Sequence, residues 1–131
     1  MEEKDLIEKI KRLKEKKNAV ILVHNYQRPE IYKVAAFIGD SYGLSKKATE
    51  TKADFIVFCG VDVMAESAYI LNPEKTVLIP TNLAKCPMAA LVNVYELRKL
   101  KEQYPDAAVV SYVNTTADIK AESDICCTSA N

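Results

Sequence analysis

The side chains best suited to chemistry in this sequence lie at the ends of two hydrophobic runs. His24 and Tyr26 follow one β-branched run, and Tyr112 and Asn114 close another. Within each pair the residues are two positions apart, so on an extended strand their side chains point to the same face. An imidazole and a phenol can bind an anion or transfer a proton. The pattern predicts two polar walls of one site; ordinary polar strand ends are the alternative.

Two serines extend this correspondence into an internal repeat. Ser41 follows His24 by 17 positions, and Ser129 follows Tyr112 by 17 positions. The two stretches align without a gap at an offset of 88 positions, which predicts a duplicated structural unit. A serine at a strand-to-helix junction places a hydroxyl near a helix N-terminus, where anions are favoured. Ordinary helix capping is the alternative use of both serines.

The four cysteines divide into one loop residue and three strand residues. Cys86 stands alone in LAKCPMA (83–89), with no second cysteine at CxxC spacing. A lone cysteine of this kind can be a buried packing residue, a metal ligand or a catalyst, and the residues alone leave these alternatives open. Cys59, Cys126 and Cys127 lie in apolar runs, so we expect them to be small buried core residues. Cys126 and Cys127 are adjacent and point to opposite faces of a strand, so they cannot both bind one metal cluster without distortion of the strand.

Hydrophobic periodicity indicates the elements that must position these residues. Leu6, Ile7, Ile10 and Leu13 form one apolar stripe on a charged N-terminal helix. Short β-branched runs, typical of strands buried on both faces, recur along the chain. We predict strands at 18–23, 54–60, 75–80, 107–113 and 125–128, and helices at 30–37, 43–52, 64–71, 94–104 and 119–122. The alternation predicts an α/β fold with a parallel sheet, whose ligands bind at the carboxyl ends of the strands.

Polar residues mark the starts of three of these helices. Asn93 with Glu96 is a capping pair before one helix, and Thr115 with Asp118 suggests another. Glu66 lies near the start of a third helix, and we interpret it as a structural or rim residue.

Composition and charge exclude several functional classes. The chain has 131 residues with 18 basic and 18 acidic side chains, and zero net charge argues against a nucleic-acid platform. The N-terminus is too charged for a signal peptide, and no apolar run approaches the roughly 20 residues of a membrane span. Neither GxGxxG nor GxxxxGKS/T occurs, so a dinucleotide cofactor is unsupported. We therefore expect a cytoplasmic protein with reduced cysteines.

Taken together and in order, several short motifs resemble the quinolinate synthase family. They are HNYQRPEI at 24–31, IGDS at 38–41, CGV at 59–61, MAE at 64–66, SYVNT at 111–115 and SDICCTSAN at 123–131. The resemblance covers the chain from about residue 18 onward. It implies a three-layer αβα domain with a parallel sheet, the first of three domains around a pseudo-threefold axis. Residues 1–105 would form that first domain, and 106–131 the start of an incomplete second one.

The resemblance also implies an activity. Members of this family condense iminoaspartate with dihydroxyacetone phosphate to quinolinate in NAD biosynthesis. They use a [4Fe–4S] cluster held by three cysteines, one from each domain, which leaves one iron open. Cys86 matches the first-domain ligand, and the other two ligands are expected beyond Asn131, so we expect the 131-residue chain alone to be inactive. An enzyme that produces iminoaspartate is the expected functional partner; no nucleic acid or membrane partner is expected.

Individual roles carry over only to matching positions. His24 and Tyr26 match catalytic residues that hold and protonate substrate. The substrate-binding residues of the family match His24, Ser41, Tyr112, Asn114 and Ser129, the serines binding anionic groups. Many relatives have glycine and serine beside the cluster cysteine where this chain has Lys85 and Pro87, which leaves the loop conformation open.

A second hypothesis comes from a different functional class. The same strand-end residues would suit a non-catalytic, flavodoxin-like α/β module that binds a small anion, with the cysteines used only for packing. A further cysteine at about position 174, displaced from Cys86 by the repeat, would favour the enzyme.

Overall fold

The protein alternates strands and helices along most of its length. The structure is a computed structural model, and it describes residues 2–128. The helices are α1 (Glu3–Lys16), α2 (Pro29–Tyr32), α3 (Ser41–Glu50), α4 (Asp62–Leu71), α5 (Val94–Gln103) and α6 (Ala117–Ala121), with a 3-10 turn at Pro87–Leu91. The strands are β1 (Ala19–His24), β2 (Phe37–Gly39), β3 (Phe55–Cys59), β4 (Thr76–Leu78), β5 (Val110–Tyr112) and β6 (Ile125–Cys127). Within the described residues, no helix combines the length and apolar character needed to cross a membrane.

The first four strands form one parallel sheet in the order β2-β1-β3-β4. Alternate residues of its central strands enter two separate cores, as the pleat requires. Val20 and Leu22 pack with the apolar faces of α3 and α4 on one side of the sheet. Ile21 and Val23 pack on the other side with Ile7 of α1 and with α2. The predicted α/β fold, with helices on both faces of a parallel sheet, is confirmed.

Two of the predicted helix boundaries in the N-terminal half of the chain are wrong. The helix expected over 30–37 ends at Tyr32, and Phe37–Gly39 forms the edge strand β2. Ala36 N–H donates to the Ile21 carbonyl at 2.8 Å, so pairing with β1 begins where the helix pattern was expected to continue. A long-range backbone ladder here overrides a local preference for helix. The next helix, α3, begins at Ser41, two residues earlier than predicted.

Strands β5 and β6 form a second parallel sheet, connected by α6. Helix α5 precedes this sheet and is capped as predicted, since Asn93 Oδ1 accepts the Glu96 N–H at 3.0 Å. The cap predicted at Thr115 is wrong, because Thr116 occupies the N-cap position of α6 and its hydroxyl donates to Asp118. The division into domains at residue 105 stays a prediction.

Candidate active site

A cavity of about 460 Å³ lies where the carboxyl ends of both sheets meet. Strand β1 ends at His24, β5 ends at Tyr112, and both side chains line the cavity wall. In the sheet order β2-β1-β3-β4, strands β2 and β3 flank β1, and the residues that follow them, Asp40 and Gly60, also line the cavity. This is the position at which open parallel sheets bind ligands, because the connections on either side of β1 diverge.

Six of the seven predicted site residues line this cavity. They are His24, Tyr26, Ser41, Cys86, Tyr112 and Asn114. The seventh, Ser129, lies outside the described residues. The predicted meeting of Cys86 with the imidazole and the phenols is therefore present in the structure, whereas the chemical roles of these side chains stay predictions.

A buried hydrogen-bond network connects the two halves of the cavity. Asn114 donates from Nδ2 to Ser41 Oγ at 2.8 Å and to the Tyr112 hydroxyl at 3.1 Å. Ser41 and Asn114 are both buried. Because Oγ of Ser41 accepts this bond, its own proton can be donated to a further acceptor in the cavity. The network thus fixes the geometry of two hydroxyl groups that can donate to a ligand.

A local backbone contact determines which ring nitrogen of His24 can donate a hydrogen bond. Nδ1 of His24 accepts the backbone N–H of Tyr26 at 3.3 Å, so in the neutral imidazole the proton resides on Nε2. Burial lowers the pKa of His24 below its ordinary value, and the nearby carboxylate of Asp40 offsets part of this shift. The neutral form therefore predominates near pH 7. The Tyr26 ring lies beside the imidazole, with centroids 4.7 Å apart, and is otherwise exposed.

The N-terminus of α3 is already occupied by a carboxylate. Asp40 is the N-cap, and its Oδ1 accepts the Gly43 N–H at 2.7 Å. Ser41 is the first helical residue, so its alternative interpretation as the N-cap is wrong. Because the Asp40 charge already stabilises this helix end, a bound anion would interact mainly with the Ser41 hydroxyl and not with the helix dipole. Anion binding by Ser41 stays a prediction.

Cys86 lies on a loop that is anchored to the start of α4. The Asp62 N–H donates to the Ala84 carbonyl at 2.9 Å, and Lys85 Nζ lies 2.5 Å from Asp62 Oδ2. The 3-10 turn follows directly, with Ala89 N–H donating to the Cys86 carbonyl at 3.1 Å. Cys86 is half-buried at the cavity wall. These contacts define the position of the Cys86 loop, and its fit to a metal cluster stays a prediction.

The Cys86 thiol could supply one ligand to a metal, but the described residues hold no complete metal site. Among residues 2–128, no group of three or more histidine, cysteine, aspartate or glutamate side chains is placed to hold a metal ion. A single half-buried thiol on an anchored loop fits a cluster whose remaining ligands come from other parts of a larger fold.

The other cysteines are placed differently from Cys86. Cys59 is half-buried on the α1 side of the sheet, and burial raises the pKa of its thiol. Cys126 is exposed and Cys127 is half-buried, so the prediction that all three are buried core residues is wrong, most clearly for Cys126. The physical reason is the small second sheet: its two strands leave Cys126 facing an open cavity lined also by Lys120.

Sequence reasoning missed two charged residues of the cavity wall. Asp40 and Lys85 both line it. Asp40 carried a usable signal, because an aspartate three residues before a glycine amide at a helix start is a typical N-cap. Lys85 stands out in the sequence only as a departure from the family pattern beside the cluster cysteine. Glu66, by contrast, lies within α4; one of its carboxylate oxygens is buried without a hydrogen-bond partner among the described residues, and Lys120 attracts it electrostatically.

Comparison with known proteins places these observations in a family context. The family model described as Quinolinate synthetase A protein matches residues 8–131. The quinolinate synthase of Methanosarcina barkeri is 60% identical over 131 residues, which are all of this chain and 43% of the relative. That of Thermococcus onnurineus is 58% identical over 131 residues and 43% of its length. That of Aquifex aeolicus is 56% identical over 128 residues, covering 98% of this chain and 40% of the relative. The chain thus spans 40–43% of the length of these relatives.

Proposed function

Because the chain belongs to the quinolinate synthetase A family, we propose that it forms the first part of a quinolinate synthase. The observation that supports this most directly is that one cavity is lined by five of the predicted site residues, namely His24, Tyr26, Cys86, Tyr112 and Asn114. In this proposal the complete protein condenses iminoaspartate with dihydroxyacetone phosphate to quinolinate, releasing phosphate and water, as a step of NAD biosynthesis. A cytoplasmic location and a functional partner that produces iminoaspartate belong to the same proposal.

The polar groups of the cavity suit two anionic substrates. The His24 Nε2–H and the hydroxyls of Ser41 and Tyr112 all act as hydrogen-bond donors to oxygen atoms of a ligand. Asn114 holds the Ser41 and Tyr112 hydroxyls in place through its two bonds, so that they are oriented before substrate enters. Groups held in advance do not have to reorganise when charge develops in a reaction, which is the main source of electrostatic catalysis.

His24 and Tyr26 would handle protons in this site. A neutral imidazole first donates a hydrogen bond to the bound anion. The negative charge of that anion raises the pKa of His24 and opposes the effect of burial, which favours uptake of a second proton when substrate is bound. That proton goes to Nδ1, which must first release the backbone N–H of Tyr26. The imidazolium can then deliver its Nε2 proton to a leaving oxygen, and the adjacent phenol of Tyr26 can relay a replacement proton from solvent.

Cys86 would hold one iron of a [4Fe–4S] cluster, with the remaining cysteine ligands supplied from outside this chain. Such a cluster, when bound, supplies a Lewis-acidic iron that polarises a substrate hydroxyl or carbonyl. The anchored loop places the Cys86 thiol on the same cavity wall as the proton-handling pair, so both groups can act on one bound molecule. Alone, the 131-residue chain should bind no stable cluster and show no activity.

A chimera tests this proposal. In this chimera, the 131-residue chain takes the place of the matching segment of the Methanosarcina barkeri relative, which is 43% of its length. The protein is then reconstituted anaerobically with iron and sulfide. We expect about four iron atoms per chain and formation of quinolinate, and loss of both with Cys86→Ser. Cys59→Ser is the matched control and should retain both. Full cluster loading in Cys86→Ser, or a loaded chimera without quinolinate formation, would contradict the proposal.

The anion-binding module remains a second candidate, because the strand order β2-β1-β3-β4 is also that of a flavodoxin-like sheet. The same chimera separates the two: a binding module has no use for the Cys86 thiol, so Cys86→Ser would leave all its properties unchanged.

A further inference from the structure

Among the described residues that line the cavity, one side chain carries a positive charge, and its ammonium is paired with Asp62. Of the lining residues only Lys85 is a lysine or arginine, and His24 is predominantly neutral. The single carboxylate of the wall, Asp40, is already bonded to the Gly43 N–H. A ligand phosphate in this cavity would therefore find its ionic partner at Lys85, next to Cys86.

The present partner of Lys85 holds it only weakly. Its ammonium pairs with Asp62 Oδ2 at 2.5 Å, but 65% of the Lys85 side chain and 31% of the Asp62 side chain are exposed. Ion pairs at exposed positions contribute little to stability, because water screens them and long side chains lose entropy. A doubly charged phosphate can therefore compete with Asp62 for this ammonium.

The loop does not depend on the ion pair for its position. The backbone bond from Asp62 N–H to the Ala84 carbonyl and the turn after Cys86 hold it independently. Asp62 itself is fixed at the start of α4, where its Oδ1 accepts the Val63 N–H at 2.9 Å. The ammonium of Lys85 can thus leave Asp62 without releasing Cys86.

We propose that Lys85 binds the phosphate group of the substrate beside Cys86, and that Asp62 holds its ammonium when the cavity is empty. This inference rests on the proposed function for the identity of the phosphate, a three-carbon phosphate ester. It makes Lys85 a specificity-determining residue of this chain, at a position where many relatives of the family have glycine.

Lys85→Met and Asp62→Asn both break the ion pair between these residues, but only the first removes the cation. Comparing them distinguishes a role in phosphate binding from a role in anchoring the loop. Inorganic phosphate is titrated into the 131-residue chain at constant ionic strength, and backbone amide NMR signals around Cys86 report binding. Lys85→Met should weaken phosphate binding about fivefold or more, because it removes the cation. Asp62→Asn should leave binding unchanged or strengthen it, because it frees the ammonium. Succinate, a dicarboxylate, should bind more weakly than phosphate to the unmodified chain.

Several results would overturn this inference. Equal weakening by both variants would mean that the pair only anchors the loop. An unchanged affinity in Lys85→Met, tighter binding of succinate than phosphate, or no phosphate binding at tens of millimolar would also contradict it. Failure of the proposed function is seen separately, as a cluster-loaded chimera without activity. In an active chimera, Lys85→Met should raise KM for dihydroxyacetone phosphate with kcat and iron content nearly unchanged.

Discussion

Asn114 Nδ2 donates a buried 2.8 Å hydrogen bond to Ser41 Oγ, although 73 positions separate the two residues in the chain. The bond joins the turn after β5 to the first residue of α3 and so connects the second sheet to the first. Buried polar groups that lose a partner are costly, because water cannot replace the missing bond. This contact therefore helps to fix the shape of the cavity as well as its polarity.

The energy of this bond can be measured with a double-mutant cycle. Asn114→Ala should lower the free energy of unfolding by about 1–3 kcal/mol, because it leaves the Ser41 hydroxyl without a buried partner. Ser41→Ala should lower the free energy of unfolding less in the Asn114→Ala variant than in the unmodified protein. The difference between the two losses, which is the coupling energy, should be about 0.5–1.5 kcal/mol. Denaturant unfolding of the four proteins provides the measurement.

Ser45→Ala is the matched control for that cycle. Ser45 is a buried serine on the same helix, but its hydroxyl donates to the Ser41 carbonyl within α3. It should show no coupling with Asn114→Ala beyond about 0.3–0.5 kcal/mol. Equal coupling for both serines would refute a specific bond between Asn114 and Ser41.

His24 should make the stability of the protein depend on pH. Burial lowers the pKa of His24 from its ordinary 6.5, so below that pH the unfolded chain takes up a proton before the folded chain does. The stabilising contribution is complete above pH 6.5 and is lost as the pH falls toward the folded-state pKa. NMR titration of the imidazole should give a midpoint below 6.5, and His24→Gln should remove this component of the pH dependence. A midpoint above 6.5 would contradict the burial of this ring.

Asp40 has two separable effects. Asp40→Asn keeps an acceptor for the Gly43 N–H but removes the charge, so it should lower the pKa of His24 further with little change in stability. Asp40→Ala removes both and should additionally cost about 1 kcal/mol of unfolding free energy. If both variants left the His24 titration unchanged, the electrostatic contact between Asp40 and the imidazole would be disproved.

The cysteines should differ in their rate of alkylation. Cys126 is exposed and should react with iodoacetamide well before Cys59, which is partly buried and has a raised pKa. Peptide mass spectrometry after timed quenching gives the order, with the unfolded chain as the control in which the difference should largely disappear. Faster reaction at Cys59 would mean that the α1 side of the sheet is more open than the structure indicates.

The convergence of the site could be predicted because it follows from local pattern and a general rule. His24 and Tyr112 each end a hydrophobic run, so each is expected at the carboxyl edge of its own sheet. Because β1 and β5 belong to different sheets, their meeting was expected from the internal repeat and not from the rule for a single sheet. The sheet partner of β2 could not be predicted, since Phe37–Gly39 carries no local signal for the ladder that it forms with β1. The exposure of Cys126 escaped prediction for a similar reason, because it depends on how many strands the second sheet has.

The most direct test of the central claim measures whether Cys86 and His24 share one cavity. With the other three cysteines replaced by alanine, a nitroxide label on Cys86 should broaden the NMR signals of the His24 ring and the Asn114 side-chain amide. Both signals should return when ascorbate reduces the label. Unbroadened His24 signals in a labelled protein that keeps its fold would place the thiol away from the imidazole and contradict the account.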